Sequence, residues 1–221
     1  MIKLPYDAPT KTPIVIAVDG PTAAGKGTLA RMLAAELGFN YLDTGSLYRA
    51  IAWTMLERGA DPKDQELATE VARALDIEGI EDALLRTSDV AEAASIVAAF
   101  PPVRAEILDF QRRYARKRPG AVVDGRDIGT VVCPDAEVKL FVTASPETRA
   151  NRRFLELIAK GETISEPEVL ADVKARDERD TSRADSPLKP AEDAHLLDTS
   201  NLSIEAAFRA AMGLIHETLS R

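Results

Sequence analysis

Residues 13–29 read PIVIAVDGPTAAGKGTL, and no other stretch restricts the fold so tightly. The apolar, β-branched run between Pro13 and Gly20 predicts a short strand buried on both faces. From Thr28 the residues Leu29, Met32, Leu33 and Leu37 recur at helical spacing, and Gly38 stands where a helix-ending glycine belongs. Strand, glycine-flanked turn and helix in that order open a parallel α/β sheet. The turn itself has four residues between Gly20 and Gly25, with Lys26 directly after. Phosphate oxygens need several converging donors, and two glycines let successive backbone N–H groups curl inward at the positive end of a helix. A lysine there adds a cation for the β and γ phosphates of a nucleotide. Gly20, Pro21, Thr22, Ala23, Ala24, Gly25, Lys26, Gly27 and Thr28 are therefore the candidates for a polyphosphate cradle. The competing reading is a glycine-rich connection with no ligand. The usual pattern has Ser or Thr directly after the lysine; here Gly27 intervenes and the hydroxyl arrives at Thr28. Guanine selection would call for an Asn-Lys-x-Asp segment, which the chain lacks, so ATP is the expected nucleotide. Mg²⁺, a hard ion that dehydrates reluctantly, would then be held largely by the nucleotide and water rather than by a protein cage.

The remainder alternates between strand and helix. FNYLDTG (39–45) reads as a strand and turn, and 46–56 as an amphipathic helix ending at Gly59. Residues 60–118 read as largely helical, with one helix over 64–75, an ambiguous IEGIEDALLRT, an Ala-rich helix, and a last helix opened by Pro101 and Pro102. Strand character returns at 121–125, 136–144 and 194–200, with helices at 146–160, 167–183 and 203–219. Such alternation implies a parallel sheet covered by helices. At 221 residues the chain suits one substantial core with a small insert. A balance of 28 Lys and Arg against 36 Asp and Glu, net −8, argues against nucleic acid as a partner but permits a local basic pocket. Cys133 is the only cysteine, so an intramolecular disulfide is excluded and a reducing compartment is expected. The first residues, MIKLPYDAPTKTP, lack the apolar centre of a signal peptide, and no apolar run reaches membrane length. A cytoplasmic monomer with no membrane partner is the expectation.

Three arginine-containing clusters suggest what receives the phosphoryl group. They are TGSLYR (44–49), VDGRDIGT (123–130) and RDERDTSR (176–183). In the last, Ser165 and Glu168 form a capping box that starts a helix, along which Arg176, Asp180 and Arg183 fall on one face. This cluster is either a solvated face of ion pairs or part of a site. The second follows an apolar strand, and so stands at the carboxyl end where open α/β sheets bind ligands. It is read either as an internal ion pair of Asp124 with Arg126 or as ligand-binding charge.

Taken together, AVDGPTAAGKGT (17–28), YLDTGSLYRA (41–50), AASIVAAFPPVR (93–104), VVDGRDIGTVVCPDAEVKLFV (122–142), RDERDTSR (176–183) and LDTSNLSIE (197–205) resemble the bacterial cytidylate kinases over nearly the whole chain. The resemblance implies a nucleoside-monophosphate kinase of the P-loop class: a five-stranded parallel sheet flanked by helices, an acceptor-binding insert at about 60–118 and a small mobile lid at about 150–185, all in one domain spanning 1–221. It implies transfer of the ATP γ-phosphoryl group to CMP or dCMP. It assigns the acceptor phosphate to Arg49, Arg126 and Arg183 with Tyr48 and Thr44, the cytosine edge to Ser95, Arg104 and Asp127, and the sugar hydroxyls to Asp180 with Arg176. Arg152 and Arg153 fall where the family has lid arginines that approach ATP. An ionised Asp127 would accept from the cytosine amine but face a carbonyl in uracil, acceptor against acceptor, which is a physical basis for rejecting UMP. The family's β-rich insert before the Ser95 helix is replaced here by DIEGIEDALLRTSDVAEAA (76–94), which implies a reduced acceptor-binding part. Cations from Lys26, the arginines and Mg²⁺ would offset the repulsion between the two anionic substrates, with no covalent protein intermediate. The rivals are a kinase for another small acceptor on the same core, and a regulatory module that hydrolyses ATP slowly.

Overall fold

The structure is a computed structural model and describes residues 12–76 and 84–220. The readings made on residues 1–11 and 77–83 lie outside the described residues. Among the described residues fifteen elements follow one another, strands and helices in the order that the sequence suggests. Strand β1 (Ile14–Asp19) leads into helix α1 (Lys26–Leu37), then β2 (Asn40–Asp43) and α2 (Thr44–Glu57). Helices α3 (Gln65–Arg73), α4 (Ser88–Val97) and α5 (Pro101–Ala115) follow, with a short 3₁₀ turn at Leu84–Arg86 before α4. Next come β3 (Gly120–Gly125), a five-residue π-type turn at Ile128–Val132, and β4 (Val138–Thr143). Helices α6 (Pro146–Ala159) and α7 (Glu166–Ser182), strand β5 (His195–Asp198) and helix α8 (Ile204–Leu219) complete the chain.

The five strands form one sheet in the order β2-β3-β1-β4-β5, with β1 parallel to both β3 and β4, and β4 parallel to β5. Every residue of β1 and β3 is buried, as the unbroken apolar runs require of strands covered on both faces. Ile14, Ile16 and Val18 of β1 pack with Leu29 and Leu33 of α1, Val122, Leu140 and Ile215 in one apolar cluster. The helix α1 starts and stops on glycines, Gly25 and Gly38, both in the left-handed conformation. Helix α7 begins with the expected capping box, Ser165 and Glu168 bonding each other's backbone N–H. Helix α2 starts at Thr44, two residues before the sequence-based boundary at 46.

Two compact units divide the chain. One holds the residues up to Leu42 and from Ala115 onward, including nearly all of the sheet; the other is Asp43–Tyr114. The second has its own apolar core, in which Leu47, Ile51 and Met55 of α2 meet Val71 of α3, Val90 and Val97 of α4, and Val103 and Ile107 of α5. Within the first, α6 and α7 pack on each other through Ala150, Leu157, Val169 and Val173. Among the described residues no helix is long and apolar enough to cross a membrane.

Candidate functional site

The connection after β1 heads for β2 on one side of the sheet, while the chain leaving β3 crosses to β4 on the other. Connections that part in this way open a crevice at the carboxyl ends of the strands, the general ligand position of such sheets. Register then decides which residues meet there. Asp19 lies opposite Gly125 on one side and Phe141 on the other. Gly20 and Arg126 therefore leave neighbouring strands at the same level, and the glycine-rich loop stands beside the Asp124–Asp127 segment.

The loop is held by its carbonyl groups. Lys26 Nζ donates to the Pro21 carbonyl at 3.4 Å, Arg149 to that of Thr22 at 3.3 Å, and both Arg152 and Thr199 to that of Ala24 at 3.4 and 3.1 Å. In a planar trans peptide the N–H points opposite to the C=O, so tying these oxygens down on one side aims the following N–H groups to the other. The turn needs left-handed backbone at Ala23 (φ 56°) and Gly25 (φ 86°). Lys26 is buried and forms an ion pair with Asp124 at 3.8 Å. The same carboxylate explains the missing hydroxyl after the lysine: a side chain at Gly27 would start 3.1 Å from Asp124 Oδ2. Thr28 is exposed on α1. Arg153 pairs with Glu156 one turn along α6, at 2.9 Å.

At the end of β1 the Asp19 carboxylate, 5% exposed, accepts hydrogen bonds from the N–H groups of Ile128 and Gly129, both at 2.8 Å. These are the first two N–H groups of the π-type turn, which a helical turn cannot satisfy internally. Burial pushes the Asp19 carboxyl from 3.8 up to about 7; the two N–H groups oppose the shift, and the neighbouring charges of Asp127 and Asp124 reinforce it. Between those values the folded protein keeps a proton that the unfolded chain has released, so native stability falls as pH rises from about 4 to about 7. A gap of roughly three units corresponds to up to about 4 kcal/mol. Urea unfolding of the wild type against Asp19→Asn should show the wild type losing relative stability from pH 5 to 7 and levelling off above; a flat difference across that range would contradict the assignment.

The charges around Asp180 form a second focus. Asp180 of α7 is buried at 4% exposure and accepts from Arg126 Nε at 2.8 Å through one oxygen and from Arg183 through the other. Burial works to raise the Asp180 carboxyl, yet Arg126 and Arg183 outweigh it and hold the group below its usual range. Arg176, partly buried, is pushed from the usual guanidinium range down to about 10, first by burial and then by the charge of Arg126, with Asp180 compensating and Arg153 and Arg179 adding repulsion. The reading of 176–183 as a solvated face is thus set aside. The paired alternative for the second cluster also resolves: Arg126 is paired with Asp180, and Asp124 with Lys26. Asp127, 5% exposed, caps the π-type turn through its carbonyl, which accepts from Val131 and Val132 at 2.8 and 3.1 Å.

In the unit Asp43–Tyr114, Arg49 is paired with Asp43 at 2.7 Å, and Gly45 leaves the room: a side chain there would begin 3.0 Å from both groups. Thr44 and Tyr48 are buried on the same helix. Arg104, 7% exposed, donates to the Tyr48 hydroxyl at 3.1 Å and the Ala98 carbonyl at 3.4 Å, its guanidinium lying 5.8 Å from the Tyr48 ring centre. Ser95 Oγ is buried without a hydrogen-bond partner. Such a hydroxyl costs desolvation unless a ligand completes it.

A family model described as cytidylate kinase matches residues 16–217. The chain belongs to the cytidylate kinase family. It is 56% identical over 209 residues to the cytidylate kinases of Brucella suis and Brucella ovis, covering 95% of this chain and 95% of each relative. It is an ATP-dependent nucleoside-monophosphate kinase that converts CMP or dCMP to the diphosphate. A solved structure of an uncharacterized protein from Eubacterium ventriosum shares the fold, with a TM-score of 0.52, 16% identity, and 94% and 99% of the two chains covered. For a cytidylate kinase of this sequence, several supporting groups escape a reading by motif. Arg149, almost fully buried, donates to the Ala144 carbonyl and makes a two-pronged pair with Asp177 at 2.9 and 2.6 Å besides holding Thr22. Thr199 bridges the Ala24 and Thr143 carbonyls and accepts from Arg152. Asp19 was open to detection, as the one carboxylate ending a strand otherwise apolar; the partners of Arg149 and Thr199 lie too far away in sequence to be read.

Proposed function

We propose that γ-phosphoryl transfer from ATP to CMP or dCMP is driven by two sets of charges built on the sheet's carboxyl ends: the loop Gly20–Thr28 for the ATP phosphates and the Asp180-centred arginines for the acceptor phosphate. The observation that carries this reading is one buried carboxylate serving Arg126 and Arg183 beside a partly buried Arg176, whose pKa is depressed first by burial and then by the charge of Arg126. In a chain of net charge −8, cations held this densely favour an anion between them. Arg126 and Arg183 are preset in direction by Asp180, so little side-chain freedom is lost when a phosphate binds. Asp180 and Arg176 also take the sugar hydroxyls. Arg49, Tyr48 and Thr44 are assigned to the acceptor phosphate, and Ser95 and Arg104 to the cytosine edge. Asp127 accepts from the cytosine amine. Arg152 and Arg153 act on the ATP side, Arg152 from a guanidinium already bonded to Ala24.

Mg²⁺ fits this donor set. The ion takes hard oxygen ligands and keeps several waters beside substrate phosphates. Asp124 and the Thr28 hydroxyl are the hard oxygen donors available for it beside the loop. The bound ion would supply Lewis-acid charge compensation at the phosphate oxygens. Lys26 and the loop N–H groups stabilise charge on the γ-phosphoryl oxygens, while Arg126 and Arg183 hold the attacking phosphate in line. Residues 150–185 act as the lid of a single monomeric, cytoplasmic kinase domain spanning 1–221, with no nucleic-acid partner.

The deciding experiment is ADP release by purified protein with CMP, dCMP, UMP, AMP or no acceptor. Turnover is expected with CMP and dCMP, and much less with the others; acceptor-independent ADP release at the same rate would overturn the reading. Asp127→Ala should lower kcat/KM for CMP more than for UMP, narrowing the ratio by about tenfold or more, as loss of one specific base contact does.

A further inference from the structure

We infer that Asp19 is a positioning residue for acceptor-base recognition, locking the segment that carries Arg126 and Asp127 onto the strand that feeds the phosphate loop. This rests on the assignment of Asp127 to the cytosine edge. Asp19 is the last residue of β1 and precedes Gly20, so its backbone belongs to the ATP side. Its side chain belongs to the other: both carboxylate oxygens are taken by the N–H groups of Ile128 and Gly129, the two residues directly after Asp127. Two bonds at 2.8 Å to successive peptides fix the orientation of that stretch about both its axis and its tilt, which one bond would not. The approach is close enough that a side chain at Gly129 would start 3.4 Å from Asp19 Oδ2 and 3.1 Å from Lys139 Cδ. Lys139 is itself fixed by the Pro134 carbonyl at 2.7 Å and by Asp193 at 2.9 Å, so the turn is pressed between two immobile side chains. Arg126 lies one residue before Asp127 and is pinned from the other direction by Asp180. The base-reading carboxylate is thus bracketed by an anchor on each side, and Asp19 supplies the one that no substrate contact replaces.

A carboxylate is the side chain that suits this task. Its two oxygens accept from both N–H groups, whereas an amide of the same shape presents an NH₂ group to one of them and replaces attraction by repulsion. Asp19→Asn is therefore expected to tilt the turn and misplace Asp127 while leaving the loop's own carbonyl ties intact. The measurement is steady-state kinetics of the full chain with CMP and UMP at saturating ATP, and with ATP varied at saturating CMP. The expected result is a KM for CMP raised about tenfold, a CMP-to-UMP ratio of kcat/KM reduced alongside it, and a KM for ATP within twofold of wild type. In an Asp127→Ala background the same substitution should change the ratio no further, since it acts through Asp127. A fall in kcat with every KM unchanged would mark a purely structural role and overturn the inference. If Asp127→Ala narrows the ratio but Asp19→Asn does not, the inference fails alone; if Asp127→Ala leaves it unchanged, the base assignment fails and takes the inference with it. Should Asp19→Asn not fold, Asp19→Ser, smaller and uncharged, is read in the same assays against the same outcomes.

Discussion

Replacing Lys26 by alanine is expected to lower kcat by at least about a hundredfold, the loss typical of removing one transition-state contact. The size follows from how little freedom the side chain has. Lys26 is buried, donates to the Pro21 carbonyl and pairs with Asp124, so its charge sits at the loop before any substrate arrives. In the proposed mechanism alanine there removes the cation that offsets charge on the transferred phosphoryl group, and it also takes one ion-pair partner from the buried Asp124 carboxylate. The effect belongs on kcat, with KM for CMP little changed, because the arginines proposed for the acceptor phosphate are organised separately around Asp180. Turnover by the purified variant within a few-fold of wild type would refute the role.

A single methyl group at Gly20 is expected to be as damaging by a different route. Its Cβ would lie 1.9 Å from the Val142 carbonyl oxygen and 3.0 Å from the Val142 carbonyl carbon, contacts that no side-chain rotation relieves. Gly20 also has φ of +152°, a conformation that L side chains rarely adopt. To admit alanine, β1 must part from β4 at the point where the phosphate loop begins. Overpacking of this kind costs about 3 kcal/mol, or about 10 °C in the unfolding midpoint of a domain this size, and the displaced loop should lose about a hundredfold or more in kcat. Differential scanning calorimetry with an ADP-release assay checks both, and a Gly20→Ala protein with wild-type midpoint and rate would show that the strand junction is softer than its geometry implies.

Much of the architecture was legible because its signals are local. Five consecutive apolar positions, 14–18, do not suit a surface strand, Gly20 and Gly25–Lys26 do not suit an uninterrupted helix, and the capping box of Ser165 and Glu168 announces α7 from the residue before it starts. The π-type turn at Ile128–Val132 carries no such signal, since its first N–H groups are satisfied by a carboxylate 109 and 110 residues away. The reading of 176–183 shows the same limit. Spacing alone put Arg176, Asp180 and Arg183 on one helix face, and nothing in the spacing tells a solvated face from one buried against Arg126.

By itself the sequence determined the strands and the main helices among the described residues, the glycine-lysine turn between β1 and α1 and, through its combined motifs, the family. Those properties depend on neighbours within a few residues, where backbone preference and side-chain periodicity act. Tertiary structure alone decided which distant charges serve each other: Asp124 with Lys26, Asp180 with Arg126, Asp177 with Arg149, and Asp19 with two peptide N–H groups. For Asp124 and Asp19 the pairing is set by strand order and register, which bring residues far apart in the chain side by side, and no local preference encodes that distance.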